Sequence, residues 1–249
     1  MSWMRRPAGR AEPSPELPLP TAPPPPAEHP APGLKHALER LPRPSASVLD
    51  LGAALAVNVA FFNRIGARLR IADLDATLDE SGLREAAPAL WERSLPDLLP
   101  LGPDERYDLV LAWDLPNYVG RARWPALAIR IREHLAPAGA FHLLVRVGQT
   151  MPARPCHYRI VDVGTLSEDV LVAETVPALR LPHAEVEKLH PGLVAPRSHL
   201  GKHGVQEYVL EHAAAHHLPP RAIAQPRKRP PGPAIRVPAP PPNKPVSEP

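Results

Sequence analysis

The stretch Ser47-Val-Leu-Asp-Leu-Gly52, followed about twenty residues later by Ile71-Ala-Asp73, constrains this chain more than any other. An apolar strand ends in an acid and a glycine. A helix-like segment follows, and then a second apolar strand ends in another acid. This is the opening unit of an open α/β sheet. A ligand in such a sheet sits beyond the strand ends, near the start of the first helix.

The rest of the chain extends the pattern. Leu34, Leu38 and Leu41 predict a short lead-in helix that Pro42 and Pro44 stop. Ala53 to Ile65 reads as a helix closed by Gly66, Arg68 to Ala72 as the second strand, and Leu74 to Arg84 as a helix weakened by Gly82. Within 85–106 a third strand is expected at Leu90-Trp91 or at Leu98-Leu99. Tyr107 to Trp113 is a strand, Ala122 to Leu135 a helix, Pro137-Ala-Gly139 a turn and Ala140 to Val147 a further strand. Alternation of this kind predicts a parallel sheet covered on both faces. Tyr158 to Val163 reads as a strand and Ala184 to Leu189 as a short helix. Leu193 to Leu200 and Val205 to Leu210 read as a hairpin around Gly201-Lys-His-Gly204. The expected fold is α/β: a Rossmann-like, mostly parallel sheet with a C-terminal antiparallel hairpin.

Proline sets the domain limits. Of 38 prolines, 11 fall in residues 1–33 and 12 in residues 218–249. These ends have few aromatic or β-branched residues and are expected to be disordered, partly polyproline II. The remaining stretch, 34–217, has a normal single-domain length and is expected to be one domain. The formal net charge of +3 comes from the C-terminal tail, where six basic residues face Glu248. No basic groove is implied for the folded part, so no specific nucleic-acid site is expected. Cys156 is the one cysteine, which excludes an intramolecular disulfide and a cysteine metal cluster. No apolar run approaches a membrane span, and no secretory signal is evident, so a cytoplasmic location is expected.

Four segments, in this order, resemble the class I S-adenosylmethionine-dependent methyltransferases over about residues 45–210. They are Val48-Leu-Asp50-Leu-Gly52, Ile71-Ala-Asp73-Leu-Asp75, Tyr107-Asp-Leu-Val-Leu-Ala-Trp-Asp114-Leu-Pro-Asn-Tyr118, and Leu135-Ala-Pro-Ala-Gly139-Ala-Phe. The resemblance implies S-adenosylmethionine as cofactor. Gly52 and the helix start, including Ala54, would let backbone approach its amino-acid part, with Asp50 holding that loop or the ammonium. Asp73 would accept from both ribose hydroxyls, as an acceptor-only carboxylate does well, with Asp75 as its rival. Asp97 would lie beside adenine. Asp114 and Tyr118 would stand where cofactor and substrate meet, and Asp114 or His157 would act as general base.

The loop departs from the family's glycine pattern, because Asp50-Leu-Gly52-Ala-Ala54-Leu-Ala56 carries methyl groups at two glycine positions. Gly52-x-Ala54-x-x-Val57 matches a nicotinamide fingerprint less well still. Asp114-Leu-Pro-Asn-Tyr118 is a loose echo of the nucleic-acid amino-methyltransferase tetrapeptide. Asn58 reads either as an amide aimed at the ligand or as a solvent-facing residue. His142 reads as a core or second-face residue. His212, His216 and His217 lack a partner set for a metal, so none is expected. Two functions follow. One is methyl transfer to an unidentified acceptor. The other is a catalytically inactive methyltransferase-like scaffold whose proline-rich tails recruit protein partners.

Overall fold

A computed structural model describes residues 22–201 and 204–216. In chain order the elements are β1 (Ala27–Pro30), α1 (Pro32–Glu39), β2 (Ser47–Asp50), α2 (Ala56–Arg64), β3 (Arg68–Ile71), α3 (Leu74–Ser81), α4 (Pro88–Leu98), β4 (Tyr107–Leu111), α5 (Leu115–Val119), α6 (Trp124–Glu133), β5 (Leu135–Arg146), β6 (Thr150–Pro152), β7 (His157–Asp162), β8 (Thr165–Asp169), β9 (Thr175–Pro177), α7 (His183–Lys188), β10 (Leu193–Leu200), β11 (Val205–His212) and α8 (Ala213–His216).

The main sheet has six strands in the order β10-β11-β5-β4-β2-β3. β3, β2, β4 and β5 run parallel, and β11 joins β5 antiparallel with β10 outside it. The chain leaves β2 for β3 on one side, then returns to lay β4 on the other. Strand order therefore reverses between β2 and β4, and a crevice opens beyond their carboxyl ends. The terminal hairpin closes the sheet as expected.

Alternate residues of the central strands feed two cores, as the twofold strand repeat requires. Leu49, Val110, Phe141 and Leu143 face α4, α6 and α7. Val48, Leu109, Leu111 and Leu144 face α1, α2 and a small antiparallel sheet, β1-β8-β7. Asn58 is buried on α2. Its amide nitrogen donates to Tyr158 O at 2.9 Å, and its Oδ1 accepts from Ile160 N at 2.8 Å. This residue clamps a helix to a strand edge, facing neither ligand nor solvent.

Three expectations are corrected. The third strand does not form: Leu90, Trp91 and Leu98 lie on α4, with Leu99 as its C-cap. Trp91, Leu95 and Leu98 are buried at helical spacing, so the 3.6-residue period wins. The fold begins before residue 34. β1 pairs with β8, from Ala27 opposite Glu168 to Pro30 opposite Thr165, and Gly33 and Leu34 already belong to α1. Pro137-Ala-Gly139 is a bulge inside β5, between the pairs Tyr107–Leu135 and Leu109–Ala140. A Cβ on Gly139 would stand 2.8 Å from the Tyr107 carbonyl oxygen, which is why glycine is placed there. Of the tails expected to be disordered, 1–33 and 218–249, residues 1–21 and all of 218–249 lie outside the described residues, as does His217. Among the described residues no helix is long and apolar enough to cross a membrane.

Candidate functional site

β2 ends at Asp50, β3 leads into Asp73, and β4 leads into Trp113 and Asp114. These ends meet a segment that enters β7, Arg154 to His157, around a cavity of about 170 Å3. Gly52, Asp73, Asp75, Trp113, Asp114 and His157 line it. Six-residue convergence from four separate chain segments at the switch point marks this as the candidate site. The volume lies below the about 300–1,000 Å3 typical of small-molecule pockets.

Asp73 caps α3. It adopts φ +37°, and its Oδ1 accepts from Ala76 N at 3.4 Å, a long contact that leaves the carboxylate largely available. Gly82 closes the same helix in the left-handed region, so it terminates α3 and does not weaken its middle. Three non-glycine residues have positive φ among those described: Ser45, Asp73 and Trp113. Two of the three border the cavity, and sparsely populated backbone of this kind collects at ligand sites.

Asp50 is fully buried. Its Oδ1 accepts from Gly52 N at 2.9 Å and from Trp113 Nε1 at 2.6 Å, and its Oδ2 has no partner. Burial pushes its pKa up to about 6, against the lowering effect of those two donors. The indole of Trp113 lies directly over Gly52: a Cβ there would be 2.5 Å from the ring. The indole also stacks on Tyr158, with centroids 5.4 Å apart and planes 10° apart. The close approach that glycine permits is thus used by the chain's own tryptophan.

Behind the cavity Arg146 binds four groups. Its Nε and Nη2 donate to Asp114 Oδ2 at 3.1 and 3.0 Å, and Nη2 also reaches Glu168 Oε1 at 2.6 Å and Tyr158 Oη at 2.7 Å. Cys156 Sγ lies 3.0 Å from the same nitrogen. Tyr158 donates to Asp114 Oδ2 at 3.0 Å. Burial raises the Asp114 pKa, opposed by Arg146 and Tyr158, and burial pushes the Cys156 thiol up. Asp114 Oδ1 is buried with no partner. One arginine between two buried carboxylates is a rigid arrangement, and removing it would strand both charges.

The sequence-derived residues therefore divide. Gly52, Asp73, Asp114 and His157 come together at the cavity, and Asp50 stands behind it through Trp113. Ala54 is exposed and outside the lining, and Asp97 is exposed on α4. Tyr118 donates to Pro152 O and Arg154 O, holding the segment that overhangs the cavity. His142 pairs with Glu207 at 2.7 Å in the core. His212 faces Leu135 O, and no metal-binding cluster is found among the described residues. Sequence reasoning missed Arg146, Glu168 and the role of Trp113. The only signal was Trp113 itself, a large ring one residue before Asp114.

A second cavity, of about 270 Å3, lies between β1 and the β10–β11 hairpin. It is mostly apolar, and the Glu207 carboxylate on its wall is already taken by Gly33 N, Leu34 N and His142.

No family profile matches this chain. No curated protein resembles it in sequence either. Among solved structures it is similar to the glycopeptide N-methyltransferase MtfA complexed with S-adenosyl-L-methionine, at 18% identity over 72% of this chain and 94% of that one, with a TM-score of 0.40. It is also similar to the 1,6-didemethyltoxoflavin-N1-methyltransferase of Burkholderia thailandensis, at 20% identity over 72% of this chain and 75% of that one, TM-score 0.41. The methyltransferase CcbJ of Streptomyces caelestis aligns at 17% identity over 73% of this chain and 95% of that one, TM-score 0.41. These are distant likenesses. The Rossmann-like fold stands on the strand order described above.

The residues fit S-adenosylmethionine in part. At the nucleoside end, Asp73 offers an acceptor beside an open cavity. At the amino-acid end, the Gly52 cradle is filled by Trp113, and Asp50 is already engaged by that indole. The amino-acid end does not fit while Trp113 stands there.

Proposed function

We propose that this chain is a methyltransferase-type domain that binds an adenosyl ligand of the S-adenosylmethionine class in the crevice at the β2–β4 switch point. The observation that carries the reading is the shared cavity of Gly52, Asp73 and Asp114 at three strand ends. S-adenosylmethionine brings a sulfonium methyl that is already activated, so the protein's part is mainly to bind and align. Asp73 takes the ribose hydroxyls. Asp114, fixed by Arg146 and Tyr158, forms an immobile wall. His157, which lies at the start of β7 on the cavity lining, would take a proton from the acceptor in preference to Asp114, whose Oδ2 is engaged by Arg146 and Tyr158. The acceptor is unassigned.

Calorimetric titration of the full chain with S-adenosylmethionine and S-adenosylhomocysteine tests the reading. Asp73→Asn is expected to weaken binding by about ten- to a hundredfold, the loss of charge-assisted hydrogen bonds worth about 1.5–3 kcal/mol. Silence of the native chain toward every adenosyl compound sinks the reading. The second reading, a domain without turnover, is favoured by one observation, the indole seated on Gly52. The proline-rich tails invoked there as partner-recruiting arms lie outside the described residues. Methyl transfer to any acceptor would remove this alternative.

A further inference from the structure

The crevice is one cavity with two unlike ends. At the Asp73 end stand the Asp73 and Asp75 carboxylates, and the lining also includes Leu115, Leu171 and Arg154, whose guanidinium lies 3.4 Å from Asp75 Oδ2. At the Gly52 end the space is taken by an aromatic ring anchored at three points. Its N–H is on Asp50 Oδ1 at 2.6 Å, its face is on Tyr158, and its backbone is held at φ +49° with its carbonyl accepting from Leu144 N at 2.7 Å. An indole that donates a short hydrogen bond to a buried carboxylate does not swing aside without cost: Asp50, already lacking a partner on Oδ2, would lose one on Oδ1. If Asp50 were to meet a ligand's ammonium, as the resemblance implies as one of its two roles, the indole N–H would stand in that place.

We propose that Trp113 is a resident occupant of the amino-acid subsite, so that the crevice as folded takes 5′-thioether nucleosides lacking an amino-acid arm, and admits the complete sulfonium cofactor only when the indole is displaced. This rests on the adenosyl reading above and narrows its ligand class. The cavity volume of about 170 Å3 agrees with a ligand smaller than the full cofactor. The arm of a complete cofactor then competes with Trp113 for Gly52 and Asp50, and its binding energy is consumed in displacing the ring.

The test compares 5′-methylthioadenosine with S-adenosylhomocysteine, which differ in that arm, by calorimetry on the full native chain and on Trp113→Gly. The native chain is expected to bind the two with affinities within about tenfold of each other. Trp113→Gly is expected to gain about tenfold or more for S-adenosylhomocysteine and little for 5′-methylthioadenosine. Native binding of S-adenosylhomocysteine more than about tenfold tighter overturns the proposal and leaves the adenosyl reading intact. No selective gain in a folded Trp113→Gly protein also overturns it. If that variant does not fold, the native comparison decides alone. If the native chain ignores 5′-methylthioadenosine, the proposal falls, and if it ignores S-adenosylhomocysteine too, the adenosyl reading falls with it.

Discussion

Trp124 and Trp113 each donate an indole N–H to a buried titratable side chain, at 2.8 Å to His190 Nε2 and 2.6 Å to Asp50 Oδ1. The Trp124 pair is complete. Its backbone belongs to α6, and His190 Nδ1 donates to Val186 O at 2.5 Å, so both ring nitrogens are used. The Trp113 pair is incomplete. Its backbone lies in the left-handed region, and Asp50 keeps an oxygen without a partner. The first pair lies in the helical core, among Trp91, Leu127 and Phe141. The second sits where strand order reverses. A chain that tolerates strain and an idle acceptor in one place, while satisfying the same chemistry elsewhere, is holding that place for something other than stability.

Removing the rings should widen the contrast most. Trp124→Ala is expected to cost about 3–5 kcal/mol, the usual range for emptying a buried aromatic site. Trp113→Gly should cost less by at least about 1 kcal/mol, because glycine relieves the left-handed backbone. Urea unfolding of both variants checks this. Equal losses would erase the distinction between the two sites.

Acid–base behaviour sharpens the comparison. Burial pushes the His190 pKa down to about 4, below its unfolded value near 6.5. Its contribution is fully present above pH about 6.5 and is lost as pH falls toward about 4, by up to about 3 kcal/mol. Asp50 works in the opposite direction. With a folded pKa of about 6 above an unfolded value near 3.9, it favours the fold while neutral and costs up to about 3 kcal/mol as pH rises through that window. Asp50→Asn, which keeps an acceptor for Gly52 N and Trp113 Nε1, should therefore gain stability relative to native at pH 7.5 and little at pH 4. A stability difference independent of pH would show that folding leaves the Asp50 pKa unchanged.

The smallest effect is expected at the loop. Ala54 is exposed and outside the cavity, so Ala54→Gly should leave adenosyl-ligand affinity unchanged and cost about 0.5–1 kcal/mol through unfolded-state entropy. A large affinity gain would mean that the loop, and not Trp113, limits access.

What the sequence disclosed follows the range of the interactions involved. Val48, Leu49, Asp50 and Gly52 were readable because a buried parallel strand needs apolar residues on both faces and ends abruptly at polar ones. The β10–β11 hairpin was readable from its glycines and short link. β1 was not: Ala27-Glu-His-Pro30 lacks any apolar alternation, and its partner strand β8 lies far along the chain. α4 was hidden because Pro96 interrupts a pattern that Trp91, Leu95 and Leu98 otherwise carry. Arg146 read as an ordinary strand end, because Asp114, Cys156, Tyr158 and Glu168 are scattered in sequence and meet only in three dimensions. Trp113 was visible as a residue, but its position over Gly52 depends on a backbone conformation that no local pattern encodes.

The start of α1 is held from the far end of the fold. Gly33 N and Leu34 N each donate at 2.7 Å to the carboxylate of Glu207, which lies within β11. Burial opposes ionisation of that carboxyl, and His142 with the two backbone donors outweighs it and holds its pKa low. During synthesis the first helix is thus made without its anchor. The helix start gains these two acceptors only once β11 is in place beside β5, so the first helix of the domain depends on a strand made more than 160 residues later.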